Sequence, residues 1–150
     1  MNKKGATLIE LIVVFVIIAI GATLAVPGIS AWMPKYRLRS ATRDIVSTMR
    51  DAQMKAITNN IAYQVDFNVG ANCYVLQHNS GGIILDGAVQ TAPSGITVNI
   101  AGLPGGTATF NPNFTCTAGT ILLSYQKGGI TQAQRGIILK PATGKVIINE

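Results

Sequence analysis

From residue 6 to residue 33 the chain carries a single formal charge, Glu10, in 28 positions. A helix needs roughly 20 apolar residues to cross the hydrocarbon of a bilayer, so this run predicts a membrane-spanning helix. Beyond it the hydrophobic pattern becomes periodic. Leu38, Ala41, Ile45, Met49, Ala52 and Ala56 recur at spacings of 3, 4, 4, 3 and 4, which marks one buried stripe on a helix. Arg39, Arg43 and Arg50 fall together on another side, away from Asp44 and Asp51. One helix from Thr7 to about Asn59 accounts for both patterns, with Asn59 and Asn60 at its C-terminal end. At about 1.5 Å per residue it is on the order of 80 Å long. Pro27, followed by Gly28, removes one backbone hydrogen bond and crowds the preceding turn, so a bend or loosened segment is expected near residues 21–27, with Pro34 as a second such point.

After Asn60 the period changes from helical to alternating. Residues 62–69 and 72–77 read as two strands around the hairpin signal Gly70-Ala71. Further strands are predicted at 83–85, 96–100, 107–110, 120–125, 136–140 and 145–149. Pro141-Ala142-Thr143-Gly144 turns between the last two. Residues 102–106 and 111–113 read as loops. A long helix followed by a run of antiparallel strands is an α+β architecture.

Charge placement gives the first segment its direction. Lys3 and Lys4 precede the apolar run, and the positive-inside rule leaves them in the cytoplasm with the rest of the chain outside. A secretory signal has an apolar centre of about 7 to 15 residues followed by a small-residue cleavage site. Here the small residue, Gly5, comes first, so a cut at that point removes only the basic leader and leaves the apolar helix on the mature chain. Glu10 is then a carboxylate near the start of a membrane span. At a bilayer centre it would cost about 2.5 to 3.5 kcal/mol, less near the interface, which makes it a functional candidate.

Gly5 followed by Ala6-Thr7-Leu8-Ile9-Glu10 resembles the class III signal of type IV pilins and type II secretion pseudopilins. The stretches Ala25-Val26-Pro27, Arg37-Leu38-Arg39-Ser40-Ala41 and Ala52-Gln53-Met54-Lys55-Ala56-Ile57 are similar to GspH/FimT-like minor subunits. The resemblance covers residues 1–60. It implies a pilin-like fold, with the long helix packed on an antiparallel sheet. It implies cleavage by a prepilin peptidase after Gly5, an N-methylated new terminus at Ala6, and Glu10 as the assembly glutamate. Family members usually carry phenylalanine or methionine after the cut, where this chain has Ala6. Pro27 matches a proline that in pilins marks a segment able to unwind on packing. The implied division is a leader at 1–5, a membrane and filament-core helix at 6–33, and a head at 34–150, helical to 60 and β-rich from 61.

Physical chemistry gives the glutamate the same task. Removal of residues 1–5 creates an α-amino group at Ala6, one helical turn from Glu10. In a stack of staggered helices, the amine of one subunit and the Glu10 carboxylate of its neighbour neutralise each other in a low dielectric. The alternative is a carboxylate that rests at the headgroup level.

With 150 residues there is room for one domain, and the roughly 95 residues beyond the helix suffice for a modest core. The formal charge of +6 falls to +4 once Lys3 and Lys4 are removed, since 10 basic side chains then face 6 acids. Two cysteines, Cys73 and Cys116, in an exported domain predict a disulfide. It would close a loop worth about 4 kcal/mol in chain entropy. No cofactor, metal site or enzymatic activity is predicted. His78 is the sole histidine, in an expected strand end and read as an ordinary surface or turn residue, and no nucleophile elbow, zinc motif or Walker loop occurs. The glycine-rich 102–106 contains Pro104 and opens no helix, and Asn113-Phe114-Thr115 is a formal glycosylation match of low specificity.

The last third of the head is basic, through Lys127, Arg135, Lys140 and Lys145, with no acid between Asp86 and Glu150. Some relatives implied by the resemblance take up DNA through a C-terminal glycine followed by alternating basic residues. Gly144-Lys145-Val146-Ile147 keeps the glycine and one basic residue but has Ile147 where a second would stand. The ordinary reading of these charges is a solvated basic face. The leading expectation is a minor pilin or pseudopilin that helps initiate or cap a filament; a DNA-uptake pilin and a major fibre subunit are the alternatives. Implied partners are other pilins, the prepilin peptidase, an inner-membrane assembly platform and, before assembly, membrane lipid. The implied location is the bacterial inner membrane with the head in the periplasm, then a pseudopilus or surface pilus.

Overall fold

The computed structural model describes residues 7–149, the side chains of 24–31 excepted. The chain divides into two compact units, Met1–Pro34 and Lys35–Glu150. One helix, α1 (Leu8–Asn59), contributes to both, and its backbone is assigned as helical through Pro27 and Gly28. The side chain of Pro27 lies outside the described residues. So do Gly5 and Ala6, the expected processing positions.

In the second unit the helical stripe is buried as its spacing requires. Leu38, Ala41, Ile45, Met49, Ala52 and Ala56 all lie in the core, joined by Val46 and Thr42. The Thr42 hydroxyl is satisfied within the helix, donating to the Leu38 carbonyl at 2.7 Å. Arg39, Arg43, Arg50, Asp44 and Asp51 are exposed. The helix ends where Asn60 takes a positive φ of 54°, a conformation asparagine tolerates better than most residues.

Among the described residues nine strands form two antiparallel sheets. The first has the order β3 (Ile83–Leu85), β2 (Cys73–Asn79), β1 (Tyr63–Asn68), β6 (Thr107–Phe110), and β4 (Gln90–Thr91) also pairs with β2. The second runs β5 (Ile96–Ala101), β7 (Gly119–Lys127), β8 (Ile130–Lys140), β9 (Lys145–Asn149). Alternation decides which face is covered. Tyr63, Val65 and Phe67 of β1 are buried while Gln64 and Asp66 are not, and Ile121 and Leu123 of β7 stand opposite Ile137 and Arg135 of β8. Together with the helical stripe these residues make one hydrophobic cluster.

Two elements differ from the sequence expectation. The two-residue β4 carries too little pattern to be seen. β8 begins six residues before the predicted strand because Gly128 and Gly129, with φ of 61° and 78°, close a tight hairpin between Lys127 and Ile130. Residues 130–132 are exposed, so no hydrophobic alternation betrays them.

Candidate assembly surface

The apolar helix opens with a reciprocal cap. The Thr7 amide donates to Glu10 Oε2 at 3.2 Å and the Thr7 hydroxyl donates to the same oxygen at 3.4 Å. The Glu10 amide donates back to Thr7 Oγ1 at 3.4 Å. This is a capping box, which satisfies orphan helix donors and places a negative charge at the positive end of the helix dipole. The sequence reasoning missed it, although Thr-x-x-Glu ahead of an apolar run is its recognised signal. The geometry turns the carboxylate back onto Thr7.

Behind that cap the helix is greasy on every side. The large apolar side chains from Leu8 to Ile20 are 51–79% exposed, and no charge occurs from residue 11 to residue 34. Among the described residues no helix is long and apolar enough to cross a membrane. The expected span at 6–33 is only partly described, since residue 6 and the side chains of 24–31 fall outside the description. Each such side chain left in water forgoes about 1.5 to 3 kcal/mol of burial. The segment therefore demands a cover from lipid or from other helices.

The head has a smaller apolar exposure at a sheet edge. Ile83, Ile84 and Leu85 make up all of β3, the outermost strand of its sheet, and all three are exposed, as is Val89 nearby. An apolar edge strand with open backbone groups is a pairing hazard unless another chain covers it. Beside it lies a cavity of about 350 Å³ lined by Thr48, Asp51, Tyr74, Asp86 and Gln90 among others. Lys55 clips its rim, contacting Asp86 at 3.1 Å and Asp51 at 3.4 Å. The Asp86 hydrogen bond is the main cause that holds the Lys55 pKa above its ordinary value, against partial burial, with the two negative charges adding to it. A raised lysine pKa means that Lys55 is charged at neutral pH and that its contribution falls as alkali deprotonates it. The side chains of the clip are one-third to one-half exposed, so its worth is below about 1 kcal/mol. Burial, then the charge of Asp44, pushes the Tyr74 phenol up, with a hydrogen bond to Thr48 opposing.

Among the described residues no three His, Cys, Asp or Glu side chains converge on a possible metal position. His78 stands near the end of a strand, as expected, and differs from the sequence reading only in its burial. It belongs to β2, half-buried with its ring 5.0 Å from that of Tyr63, and its Nδ1 is buried without a hydrogen-bond partner.

The four basic residues of the last third do not converge. Lys127 stands opposite Ile130 at one end of β8, and Lys140 ends the strand, on the order of 30 Å away. Arg135 lies between them opposite the buried Leu123, on the face that packs toward α1. Lys140 and Lys145 are directly paired across the β8–β9 turn, a mutually repulsive arrangement. Gly144, the glycine of the supposed DNA motif, is buried against Gln53 and Phe114.

The expected disulfide is also corrected, since both cysteines are free. Cys73 pairs with Asn68 at one end of β1, whereas Cys116 bridges to Phe110, which pairs with Tyr63 at the other end. Five residues of strand separate those ends, about 16 Å, against a limit near 7 Å between the Cα atoms of a disulfide. Cys116 is buried, which pushes its thiol pKa up, and its sulfur lies 3.4 Å from the Lys140 carbonyl. Alkylation of the native protein near neutral pH is expected to modify Cys73 first and Cys116 only slowly, followed by peptide mass mapping. A single mass unchanged by reductant and two thiols titratable after unfolding complete the expectation.

Residues 1–26 match the family model of the prokaryotic N-terminal methylation motif. A search of curated proteins finds no match. The fold is the pilin-like one of minor pilins and minor pseudopilins. Among solved structures, the minor pseudopilin EpsH from the type 2 secretion system of Vibrio cholerae aligns at a TM-score of 0.62 with 10% identity, over 75% of this chain and 94% of that one. The type IV minor pilin FimU of Pseudomonas aeruginosa aligns at 0.61 with 14% identity, over 79% of this chain and 92% of that one. A second structure of EpsH gives 0.63 at 11% identity, over 78% and 97%. At such identities the likeness is one of fold.

Proposed function

We propose that this chain is a minor pilin or pseudopilin, a structural subunit that helps to initiate or cap a helical filament in a type IV pilus or a type II secretion system. The observation that carries the reading is an apolar helix, capped at Thr7-x-x-Glu10 and exposed on all sides, inside a match to the prokaryotic methylation motif and ahead of a pilin-like head. Such a helix has two stable environments, a bilayer and a bundle of its own kind, and a filament subunit passes from one to the other. The coarse consequences are assembly with other pilins, a membrane-anchored state facing the periplasm or cell surface, and a structural rather than enzymatic role.

The finer assignments belong to the same proposal. Prepilin peptidase cuts after Gly5, Ala6 becomes the methylated terminus, and an inner-membrane platform draws the subunit out of lipid. Glu10 meets the Ala6 amine of a neighbouring subunit, and Pro27 lets the helix adapt as it packs. The exposed β3 edge is the head's own contact with another subunit. DNA binding is not favoured, because the cations suggested for it lie at separate ends of a sheet and its glycine is occupied in packing.

N-terminal sequencing of the protein from its native membrane tests the first step. The expected terminus is methyl-Ala6; a chain that still begins at Met1 in assembled material would overturn the reading.

A further inference from the structure

Within the head, the side of α1 turned away from the core is organised in three rows that the assembly reading leaves unused. Ser40, Ser47 and Met54, all exposed, run along its middle at intervals of seven residues. Arg43 and Arg50 stand along one border, also seven apart, and Asp44 and Asp51 stand along the other at the same interval; all four are exposed. With 3.6 residues per turn, the arginines lie about 50° to one side of the middle row and the aspartates about 50° to the other. Seven residues make nearly two turns. Each row therefore keeps to its own strip for about 20 Å, and one partner helix can follow all three.

The charges on the borders are not spent within the chain. Among the described residues the salt bridges join Lys55 to Asp51 and Asp86, so Arg43, Arg50 and Asp44 have no ion pair in their own head. A row of cations and a row of anions at one spacing, with a narrow strip between them, make a face complementary to itself. Symmetry decides the direction of the fit. When a two-fold axis runs along two parallel helices, the arginine border of each meets the aspartate border of the other on both sides of the seam. A two-fold axis across the helices makes them antiparallel and sets arginine against arginine, which repels. Copies anchored in one membrane by the same end already run parallel.

We infer that the outward face of α1 docks on the same face of a second copy, parallel and in step, with Arg43 beside the partner's Asp44 and Arg50 beside the partner's Asp51. The members of each pair differ by one residue, a rise of about 1.5 Å, well within the reach of an arginine. Ser40 and Ser47 are too small to hold the two helix axes apart. Exposed ion pairs are individually weak, so the contact forms between copies that their anchors concentrate in a membrane. The inference rests on the membrane-anchored reading above.

The test uses the full-length chain in isolated native membranes, with Cys73→Ser in the background so that the buried Cys116 is the remaining native thiol. Ser47→Cys and Met54→Cys are each oxidised with copper phenanthroline, and Thr131→Cys, exposed on β8, is the control. A reducible homodimer is expected from both seam positions and not from the control, because parallel helices in step bring each residue to its own counterpart. Arg43→Asp with Arg50→Asp makes both borders acidic, and Asp44→Arg with Asp51→Arg makes both basic. Each such chain alone should lose about tenfold in Ser47→Cys dimer, four weak attractions having become repulsions. Co-expressed under two tags, the acidic and basic chains should link to each other at close to the original yield, which also shows that both fold. A dimer from Ser47→Cys without one from Met54→Cys overturns the parallel fit. Equal dimer from Thr131→Cys, or a yield that charge reversal leaves unchanged, overturns the inference. If Ser47→Cys gives no dimer yet is shielded from maleimide until the membrane is solubilised, something else covers the face and the second copy is overturned as its occupant. A chain absent from the membrane fraction is a separate signature: the anchored reading then fails, and this inference with it.

Discussion

Glu10→Ala protein is expected to be inserted and processed but to stay in the membrane fraction, absent from sheared filaments. The carboxylate has two claims on it. Within its own chain it completes the capping box with Thr7, and between chains it is proposed to neutralise the Ala6 amine of a neighbour. Losing a cap costs about 0.5 to 2 kcal/mol. Removing one partner of a buried ion pair costs about 3 to 5 kcal/mol, which lowers incorporation by a factor on the order of a hundred to several thousand. Glu10→Gln separates the two, because glutamine supports a capping box but carries no charge. Immunoblots of filament and membrane fractions should show Glu10→Gln excluded nearly as completely as Glu10→Ala, and Thr7→Ala incorporated. Incorporation of Glu10→Gln at the normal level would leave capping as the whole role of the residue and remove the intersubunit pair.

The second large effect is expected from Gly144→Ala. Gly144 is buried in the turn between β8 and β9 with φ of 58°, a conformation that costs an ordinary residue about 1 to 2 kcal/mol. A Cβ built there would stand 2.5 Å from the Phe114 carbonyl oxygen and 2.5 Å from Gln53 Nε2. The glutamine can swing away, but the backbone oxygen cannot without moving the 111–116 loop. That loop is tied to the same turn where the Cys116 amide donates to the Pro141 carbonyl at 3.1 Å. Strain and displacement together predict a loss of about 2 to 4 kcal/mol, a fall in melting temperature on the order of 10 °C for a head of this size. Thermal unfolding of the detergent-solubilised chain measures it. Gln53→Ala in the same chain should restore only part of the loss, and full restoration would show that the side chain, not the backbone, is what Gly144 avoids.

These two residues show where the sequence is sufficient and where it is not. Glu10 could be singled out by reading alone because a charge in an apolar run is anomalous in any fold. Its bond to Thr7 is equally local, three residues away, and Thr-x-x-Glu is its signal. Gly144 was read from its neighbours along the chain as part of a basic motif, whereas its reason lies on α1 and on the 111–116 loop, far off in sequence. The same holds for Cys73 and Cys116. Their even number and exported setting suggested a bridge, and only the register of β1 with β2 and β6 put them at opposite ends of a sheet.

The sequence by itself determined the long helix, the stripe from Leu38 to Ala56 that it buries, most of the strands and the α+β class. Each of these follows from a period of 3.6 or 2 repeated over many residues, or from turn residues at fixed offsets. The tertiary structure alone decided which strands share a sheet, that Lys127 and Lys140 lie apart, and that the two thiols do not meet. Those are distances between segments remote in sequence, fixed by strand order and register, and no local pattern encodes them.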